Sequence, residues 1–351
     1  MPCLGHASEA AESATDHRYY MCQCHLRKNY FVRSLGEHLS YDGDDAVFVH
    51  AYAGSFNQEQ LEEALAEVKR QRDKRLRAPN DSESRRAHIS KQYSWLHPEL
   101  LTLDSSSFLD PGFLELATIC KQVVAAGGRS LSIDTLEELE EHGLLTQLRG
   151  GVWTFPVLSD SFCDLLEGEL QHFLGSGLPR TAPNTMNRFG VILGELGLDT
   201  GLIAPMVDSY LDPIARCLLS DHTAGLDSFR AFTVLYDAVE DGDSDRELAL
   251  HYDNAEVTLN VNIGGMWAGG QVVFYGLATD PNVDTTRGGL EVTLKRGWGV
   301  LHAGLDLHQA LPISSGRRHN LILWCRSSGI RNSRCPMCFE APVVVQTTRL
   351  T

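Results

Sequence analysis

The segment HYDNAEVTLNVNI, residues 251 to 263, opens with a histidine and an aspartate and then alternates polar and apolar residues. The alternation predicts a β-strand, and residues i and i+2 of a strand point to the same face. His251 and Asp253 can therefore direct a nitrogen and an oxygen to one point, with Tyr252 facing away. A charged turn before an ordinary strand would give the same pattern, so the rest of the chain must supply further metal ligands.

His308, within the segment GVLHAGLDLHQALPISSGRRHNLILW, is the third candidate ligand. Two histidines and one carboxylate on one face of a metal form the facial triad of non-haem iron(II) oxygenases. Three protein ligands leave octahedral positions open for a bidentate 2-oxo acid and for dioxygen, whereas zinc more often closes its shell as a tetrahedron. The set His251, Asp253 and His308 therefore favours iron(II).

His302 competes with His308, because two histidines six residues apart can share a strand face. Arg318 decides between them, since it follows His308 by ten residues, beyond the turn PISSG. Its guanidinium can bind the far carboxylate of 2-oxoglutarate bidentately. The residue at the same distance from His302 is Pro312, which offers no charge, and Arg317 should face the opposite side of its strand. We therefore predict that His308 is the ligand.

The second half of the chain reads as short strands separated by glycine-rich or acidic turns. Many short strands at regular spacing are typical of a sandwich or barrel, including the jelly roll. Helical patterns come first in the chain, so we expect an α+β fold in which helices buttress one side of the sheet. The predicted strands span residues 229–238, 255–263, 269–276, 289–304, 308–313 and 317–325.

Two of these segments, 248–276 and 301–328, resemble the iron- and 2-oxoglutarate-dependent oxygenases of the prolyl and lysyl hydroxylase superfamily. Within it they are most similar to the 2-oxoglutarate and iron-dependent oxygenase domain-containing protein 2 family. The segment PNTMNRFGVILGELGL, 183–198, is similar to that family's sequence ahead of the catalytic core. The resemblance covers about residues 152–328 and implies a double-stranded β-helix, that is, a distorted jelly roll.

The resemblance also implies cofactors and site residues. It implies Fe(II) as the metal, 2-oxoglutarate and O2 as co-substrates, and L-ascorbate as a reductant. His251, Asp253, His308 and Arg318 match the family's functional positions without substitution. Tyr236 falls where related hydroxylases place a tyrosine that hydrogen-bonds 2-oxoglutarate, although an amphipathic strand tyrosine explains it equally well.

Two asparagines extend the candidate co-substrate site. Asn260 and Asn262 share a strand face with Thr258. Polar residues at alternate positions of an inner strand need partners when buried, and a bound oxo acid would supply them. Asn260 is the candidate we retain, because Asn262 already lies near the strand end.

Composition limits the classes of partner and the location. The formal net charge is −16, with 46 acidic against 30 basic residues, which argues against a protein that coats nucleic acid. The N-terminus lacks the basic and apolar regions of a secretory signal, and no apolar run reaches the ~18 residues that span a membrane. An odd number of scattered cysteines favours reduced thiols. We therefore expect an intracellular protein, cytoplasmic or nuclear.

The first half of the chain has no recognisable chemistry. A helix is predicted from Asn57 to residue 77, because Asn57 and Gln60 resemble a capping box. Its basic end, 69–77, could be a nuclear localisation signal, but we favour a solvated helix end. Residues 78–88 read as a loop, and two further helical patterns follow at 111–126 and 131–145. The predicted organisation is a disordered segment 1–20, a mainly helical region 21–150, a dioxygenase domain 151–328 and a tail 329–351.

Two cysteine motifs lie near the ends of the chain. CQCH contains Cys22, Cys24 and His25, and CPMC contains Cys335 and Cys338. Each motif would be half of a structural zinc site, which needs four ligands. A lone Cys-x-x-Cys is weak support for zinc, and a redox pair would require a βαβ context that the sequence lacks. The sequence alone favours unpaired surface thiols.

These patterns indicate a dioxygenase, most simply a hydroxylase that couples 2-oxoglutarate decarboxylation to oxidation of a C–H bond. The family resemblance tilts the substrate toward a prolyl or lysyl side chain of a protein. The alternatives are a catalytically silent metal-binding jelly-roll module and a scaffold protein whose function lies in residues 1–150. Arg318 argues against the silent module, because a structural metal needs no anchor for an oxo acid.

Overall fold

The protein is described by a computed structural model over residues 22–238 and 244–344. The segment 1–20, predicted to be disordered, lies outside the described residues. Packing divides the chain into two compact units. The first contains residues up to 85 together with those from 331 onward, and the second contains residues 86–330. The helical region predicted for 21–150 is thus shared between the two units.

The first unit combines a small hairpin with helices. Its strands β1 and β2 are antiparallel, with Tyr30 opposite Leu39. The core consists of aromatic and aliphatic side chains, among which Tyr30, Val68 and Phe48 are almost fully buried. The elements are a 3-10 helix Gln23–Leu26, β1 Tyr30–Val32, β2 Glu37–Leu39, a helix Asp45–Tyr52 and a helix Gln58–Gln92 whose last turns belong to the second unit.

The capping box predicted at the start of the long helix is confirmed. The Gln60 amide donates to Asn57 Oδ1 at 2.9 Å, and the Asn57 amide donates to Gln60 Oε1 at 3.0 Å. The predicted loop at 78–88 is wrong, because the helix continues through Pro79 to Gln92. The far end of the helix is held by Ile89, which is buried in the core of the second unit. This burial sustains the helix although proline removes a backbone donor.

The basic segment 69–77 lies inside this helix and not at its end, and although most of its side chains are at least partly exposed, one is buried. Arg75 is only 7% exposed. Its guanidinium donates to the carbonyl oxygen of His25, in the 3-10 helix, and to those of Lys28 and Asn29, in the turn before β1. The ring of Tyr30 lies 4.1 Å below the guanidinium carbon. One basic side chain of the segment therefore holds this turn in place from the inside.

The second unit opens with helices. The helices predicted at 111–126 and 131–145 are confirmed as Pro111–Ala125 and Ile133–Glu141. Asp110 caps the first, where proline already has the helical backbone angle, and Ser132 caps the second. The remaining helical elements are Pro98–Leu101, Ser105–Phe108, Asp160–Gly175, Leu193–Leu196, Asp199–Ile203, Ala204–Met206, Val207–Leu211, Asp212–Leu218 and Ser328–Arg331, whose last residue falls in the first unit.

The strands of the second unit form two antiparallel sheets. They are β3 Thr146–Arg149, β4 Val152–Pro156, β5 Ser228–Asp237, β6 Leu248–His251, β7 Val257–Gly264, β8 Trp267–Gly269, β9 Val272–Leu277, β10 Leu290–Val292, β11 Trp298–Ala303, β12 Asp306–Ala310 and β13 Ile313–Arg326. The larger sheet has the order β3-β4-β11-β7-β13-β5, with β8 added to β13, and the smaller has the order β10-β9-β12-β6. The fold is the predicted double-stranded β-helix buttressed by helices.

Strand β7, at the centre of the larger sheet, is buried on both faces. Its alternate residues Val257, Leu259, Val261 and Ile263 join the helical core, where helix Asp160–Gly175 packs against the strand. The residues between them point to the other face of the sheet. That inner face is where the polar residues of this strand must find partners.

In the described part of the chain, no helix is both long enough and apolar enough to cross a membrane.

The capping box predicts a local effect on stability. Asn57→Ala removes the acceptor of the Gln60 amide, a loss that typically costs about 1 kcal/mol. Hydrogen exchange of the amides in the first turn should therefore accelerate by roughly five-fold, since ~1.4 kcal/mol is a factor of ten. The matched control is Gln58→Ala, which loses only an exposed pair with Glu62. Equal exchange rates in the two variants would contradict the capping role.

Candidate metal centre

Two histidines meet across the smaller sheet. His251 is the last residue of β6, and His308 lies at the middle of β12. The antiparallel register places His308 directly opposite His251. Their ring centroids are 4.2 Å apart. Strand pairing alone therefore brings together two imidazoles that are far apart in the sequence.

Asp253 is positioned differently from the expectation. β6 ends at His251, so Asp253 lies in the connection to β7 and does not share a strand with the histidine. Its backbone amide donates to the Gly304 carbonyl at 2.7 Å, and its Oδ2 accepts from Thr258 Oγ1 at 2.7 Å. The loop therefore fixes the carboxylate by a backbone bond on one side and a side-chain bond on the other.

The three side chains form one compact group. One ligand atom from each of His251, Asp253 and His308 lies within 4.8 Å of the others. His251 Nε2 is 3.6 Å from Asp253 Oδ1, and His308 Nε2 is 3.9 Å from Asp253 Oδ2. Asp253 and His308 are buried, and His251 is half-buried. The group is thus largely shielded from water, and only its His251 side is partly exposed to solvent.

Backbone carbonyls fix the orientation of both rings. His251 Nδ1 lies 2.8 Å from the Ala249 carbonyl, and His308 Nδ1 lies 2.8 Å from the Asp306 carbonyl. A carbonyl oxygen can only accept, so each Nδ1 must carry the proton. The lone pair of each neutral ring is then on Nε2, the atom that faces Asp253. This is the tautomer that binds a metal ion.

His302, the rival of His308, lies beside the group but is not part of it. It is on β11 in the larger sheet and is 1% exposed. Its Nε2 is 4.0 Å from Asp253 Oδ2, and its ring meets that of His308 edge-on at 4.9 Å. The structure therefore groups His308, and not His302, with His251 and Asp253.

The electrostatics suit a metal ion. Burial alone would raise the pKa of Asp253, but the imidazoles of His308, His251 and His302 outweigh it and lower that pKa below its ordinary value. Burial, helped by the charge of His251, lowers the pKa of His308 to about 3. At neutral pH the group therefore contains an ionised carboxylate and a neutral His308, the forms in which both bind metals.

Arg318 lies on β13, opposite Tyr236 of β5 in the antiparallel register. It is 5% exposed, and its guanidinium carbon lies 4.5 Å above the Tyr236 ring. One nitrogen donates to the Gly270 carbonyl, whereas the buried Nε has no hydrogen-bond partner in the described ranges 22–238 and 244–344. The Tyr236 hydroxyl accepts from Asn187 Nδ2 at 3.3 Å. Arg318 and Tyr236 thus lie together in the interior of the second unit.

The two asparagines of β7 have different surroundings. Asn260 Oδ1 accepts from Asn320 Nδ2 at 2.6 Å. Asn262 is fully buried, and neither its side-chain nitrogen nor its side-chain oxygen has a hydrogen-bond partner among the described residues. Asn262 lines a small cavity together with Arg318 and Asn320. The sequence favoured Asn260, but Asn262 is the residue that reaches this cavity.

The candidate residues predicted from the sequence did not include Asn320, although its spacing from Arg318 indicated it. It follows Arg318 by two residues on β13 and therefore shares its face. The same alternation explains why Arg317, the residue before Arg318, points outward. It pairs with Asp237 at 2.7 Å on the surface. Trp267 and Gly270, which lie around the turn before β9, also line the cavity and could not be placed there without the fold.

Known proteins are similar in sequence to nearly the whole chain. A family model described as the OGFOD2-like domain matches residues 89–224. The chain is 38% identical to the 2-oxoglutarate and iron-dependent oxygenase domain-containing protein 2 of Xenopus tropicalis, over 93% of this chain and 91% of that protein. The protein of the same name from Homo sapiens is 35% identical, over 92% of this chain and 90% of its own length. The chain belongs to the 2-oxoglutarate and iron-dependent oxygenase domain-containing protein 2 family.

The family assignment confirms the resemblance seen in the sequence, and the residues matched by the family model include the segment 183–198. A more distant relative is the human multifunctional procollagen lysine hydroxylase and glycosyltransferase LH3. It is 26% identical over 52% of this chain and 24% of its own length. The oxygenase family thus accounts for nearly the whole chain, and the lysine hydroxylase for about half of it.

In this member of the oxygenase family, Gly304 offers a test of how the Asp253 loop is held. A Cβ atom at Gly304 would lie 2.0 Å from the Ala255 carbonyl oxygen, so Gly304→Ala must displace the loop. We expect Mn(II) or Fe(II) affinity to fall at least about ten-fold, or ~1.4 kcal/mol. The control is Gly150→Ala, where an added Cβ meets nothing within 4 Å. Unchanged metal affinity in a titration of Gly304→Ala would show that the loop position does not matter.

Proposed function

We propose that His251, Asp253 and His308 bind the catalytic iron(II) of this oxygenase and that Arg318 binds the far carboxylate of 2-oxoglutarate. The reaction class, a dioxygenase dependent on iron and 2-oxoglutarate, is that of the family. The observation that supports the residue assignment is the combination of two features in one unit. A compact group of two imidazoles and one carboxylate occurs together with a buried arginine that faces a polar cavity. All four residues fall within residues 151–328, which we propose as the dioxygenase domain.

The donor set fits iron(II). Two imidazole nitrogens and one carboxylate oxygen suit a divalent transition metal of intermediate softness, and they leave coordination positions for small ligands. The Nε2 atoms of both histidines are free of protons in the neutral state, and Asp253 is ionised. The carbonyls of Ala249 and Asp306 would hold the rings in this orientation when the metal binds.

The surroundings of Arg318 fit a dicarboxylate. In the described part of the chain no carboxylate pairs with this guanidinium, which instead meets a carbonyl and the Tyr236 ring. A buried cation without an anion is costly, and so is a buried amide without hydrogen bonds. A carboxylate in the cavity would satisfy the Arg318 Nε and the Asn262 side chain together. Tyr236 would support the guanidinium from below, and Asn260 would act through Asn320.

The chain's own residues prepare the reaction and do not perform the oxidation. Thr258 and the Gly304 carbonyl hold Asp253, so that its oxygens remain directed at the histidines. The apolar residues Val272 and Leu294 line the cavity and exclude water. When bound, iron with 2-oxoglutarate and dioxygen supplies the oxidation, in which a C–H bond becomes C–OH and 2-oxoglutarate becomes succinate and carbon dioxide. Asp253 favours hydroxylation, because a small residue there would leave room for a halide.

We further propose a protein side chain, lysyl or prolyl, as the substrate. Support comes from the similarity to LH3, whose name describes a procollagen lysine hydroxylase. A lysyl side chain also suits the net charge of −16, which attracts cationic partners. Incubation with matched peptides containing one lysine or one proline, followed by mass spectrometry, distinguishes the two by the residue that gains an oxygen atom. If neither gains oxygen while succinate still forms, the protein substrate is wrong and the reaction class stands.

An intracellular location, cytoplasmic or nuclear, is part of the proposal. The cysteines of the described residues form no disulfide bonds, and most are buried. Reduced thiols are typical of compartments kept reducing by glutathione and thioredoxin. Fractionation of cells that express the untagged protein would test this.

The triad predicts complete loss of turnover. His251→Ala, Asp253→Ala and His308→Ala should each abolish succinate formation in an assay supplied with Fe(II), 2-oxoglutarate and ascorbate, because each removes an iron ligand. His302→Ala should still bind Mn(II), since His302 is outside the ligand group. Circular dichroism identifies variants that fail to fold. Loss of Mn(II) binding in His302→Ala, with binding retained in His308→Ala, would reverse the assignment of the two histidines.

Arg318 predicts a loss of co-substrate affinity without a loss of metal. A charge-assisted bidentate pair, once broken, typically costs ~2–5 kcal/mol, so Arg318→Ala should weaken 2-oxoglutarate binding by roughly thirty-fold or more. Arg318→Lys should recover part of the affinity, because a point charge remains without the planar fork. Titration of the Mn(II) form with 2-oxoglutarate measures both.

The matched control for this prediction is Arg317→Ala. Arg317 is the adjacent arginine, but its exposed pair with Asp237 contributes little. Its loss should therefore leave 2-oxoglutarate affinity near that of the wild type. Equal affinities in the wild type and Arg318→Ala would refute the co-substrate assignment.

A further inference from the structure

The first unit brings together four cysteine side chains from opposite ends of the chain. Cys22 and Cys24 belong to the start of the unit, and Cys335 and Cys338 to its C-terminal segment. The interpretation of these residues as surface thiols is wrong. Cys22, Cys24 and Cys335 are each less than 9% exposed, and only Cys338 is half-buried. All four sulfur atoms lie within 4.8 Å of one another.

The spacing of the sulfurs corresponds to one metal ion. Cys24 Sγ is 3.6 Å from Cys335 Sγ, and Cys22 Sγ is 4.0 Å from Cys338 Sγ. Four thiolates at the Zn–S distance of about 2.3 Å in a tetrahedron are separated by about 3.8 Å. From this geometry we propose that Cys22, Cys24, Cys335 and Cys338 bind a structural zinc ion that joins the two terminal segments of the first unit.

Backbone turns hold both pairs of cysteines in place. The Lys28 amide donates to the Cys24 carbonyl at 2.7 Å, which closes the turn after the first pair. The Phe339 amide donates to the Cys335 carbonyl, and the Cys335 amide to the Glu340 carbonyl, both at 2.8 Å. Phe339 has a φ of 62°, a left-handed conformation that a non-glycine residue adopts only where the surroundings impose it. The ligand set is therefore preorganised on both sides.

Packing alone does not explain the meeting of the two segments. The buried cluster consists of three of these cysteines, with Met337 and Cys338 packed against it. Apart from the half-buried Met337, the cluster contains no large aliphatic or aromatic side chain among the described residues. The links between the segments include a β-bridge between Cys22 and Val344, the Gln23 amide to the Val343 carbonyl and the Asn29 side chain to the Met337 carbonyl. Such a small core requires a metal or a covalent link to order it.

Disulfide bonds would fit the positions less well. A disulfide has a sulfur–sulfur distance of about 2.05 Å, so both cross-pairs would have to move much closer together. His25, the other candidate ligand of the first motif, is not in the group of mutually close atoms. The buried cation Arg75 interacts electrostatically with Cys24 and would offset part of the negative charge of four thiolates. Its guanidinium also holds the turn that follows the first pair.

The proposal is independent of the catalytic assignment, because it uses other residues in the other unit. It predicts about one zinc per chain in full-length protein purified without a metal-affinity tag. Elemental analysis should find that this zinc stays bound under mild chelation that removes iron. Alkylation of the native protein, mapped by mass spectrometry, should spare the four cysteines until a strong chelator removes the zinc.

Variants locate the ion. Cys24→Ser and Cys335→Ser should each lose the zinc and accelerate hydrogen exchange in both terminal segments. Zinc should remain in His251→Ala, which alters the other site. Cys163→Ala, a buried cysteine in helix Asp160–Gly175, is the matched control and should keep full zinc content. Co(II) added to the zinc-depleted wild type should give the strong sulfur-to-cobalt absorption of a four-thiolate site, so the test does not depend on the folding of a variant.

Specific outcomes would overturn the proposal. One is wild-type protein that contains no zinc, takes up none when Zn(II) is added, and is alkylated at all four cysteines. Another is the recovery of Cys22–Cys338 and Cys24–Cys335 disulfides from cells lysed in alkylating agent. Zinc that is retained in Cys24→Ser and Cys335→Ser but lost in His251→Ala would place the ion in the other site. Iron in place of zinc, with an iron–thiolate spectrum, would refute zinc as the resident metal.

Discussion

Strand β7 is buried on both faces. One face needs an apolar core and the other needs hydrogen-bond partners, and much of the second unit supplies these two environments. The strand's odd-numbered residues from Val257 to Ile263 are apolar and join the helical core, which stabilises the sheet. The even-numbered residues Thr258, Asn260 and Asn262 point the other way and need polar partners. Thr258 donates a hydrogen bond to Asp253, and Asn260 accepts one from Asn320. The Asn262 side chain has no partner among the described residues, and the proposed ligand would supply one.

The same period of two organises the neighbouring strands. On β13, Arg318 and Asn320 face inward, whereas Arg317, the residue before Arg318, pairs with Asp237 at the surface. On β12, His308 faces inward and lies opposite His251 of β6. Two buried groups of opposite sign result, the Asp253 carboxylate among imidazoles and the Arg318 guanidinium over Tyr236. Each would be completed by the ligand proposed for it, iron in the first case and a dicarboxylate in the second.

In the first unit, the question is what holds its two terminal segments together. Two short segments from opposite ends of the chain meet around sulfur atoms, with few large apolar side chains to hold them. A zinc ion would provide the missing free energy, since metal binding to a site that the unfolded chain lacks contributes directly to folding. Nearby, Arg75 donates to the backbone carbonyls of His25 and Lys28. The zinc ion and Arg75 would thus add to the hydrophobic core around Tyr30 and Phe48, which does not include the two cysteine segments.

The single strand predicted for 289–304 is two strands, β10 in the smaller sheet and β11 in the larger. The sequence by itself nevertheless determined the local patterns: the strand-rich region from residue 229 onward, the Asn57 and Gln60 capping box, and the ligand candidates with Arg318. These depend on periodicity, turn residues and spacing, which a single chain displays. Tertiary structure decided what depends on distant contacts. It placed Asp253 in a loop, extended the helix through Pro79 because Ile89 is buried, and put Asn262 on the cavity in place of Asn260. It also gathered four cysteines that look isolated in the sequence. Strand register and chain closure join residues far apart along the chain, and no local pattern encodes which of them will meet.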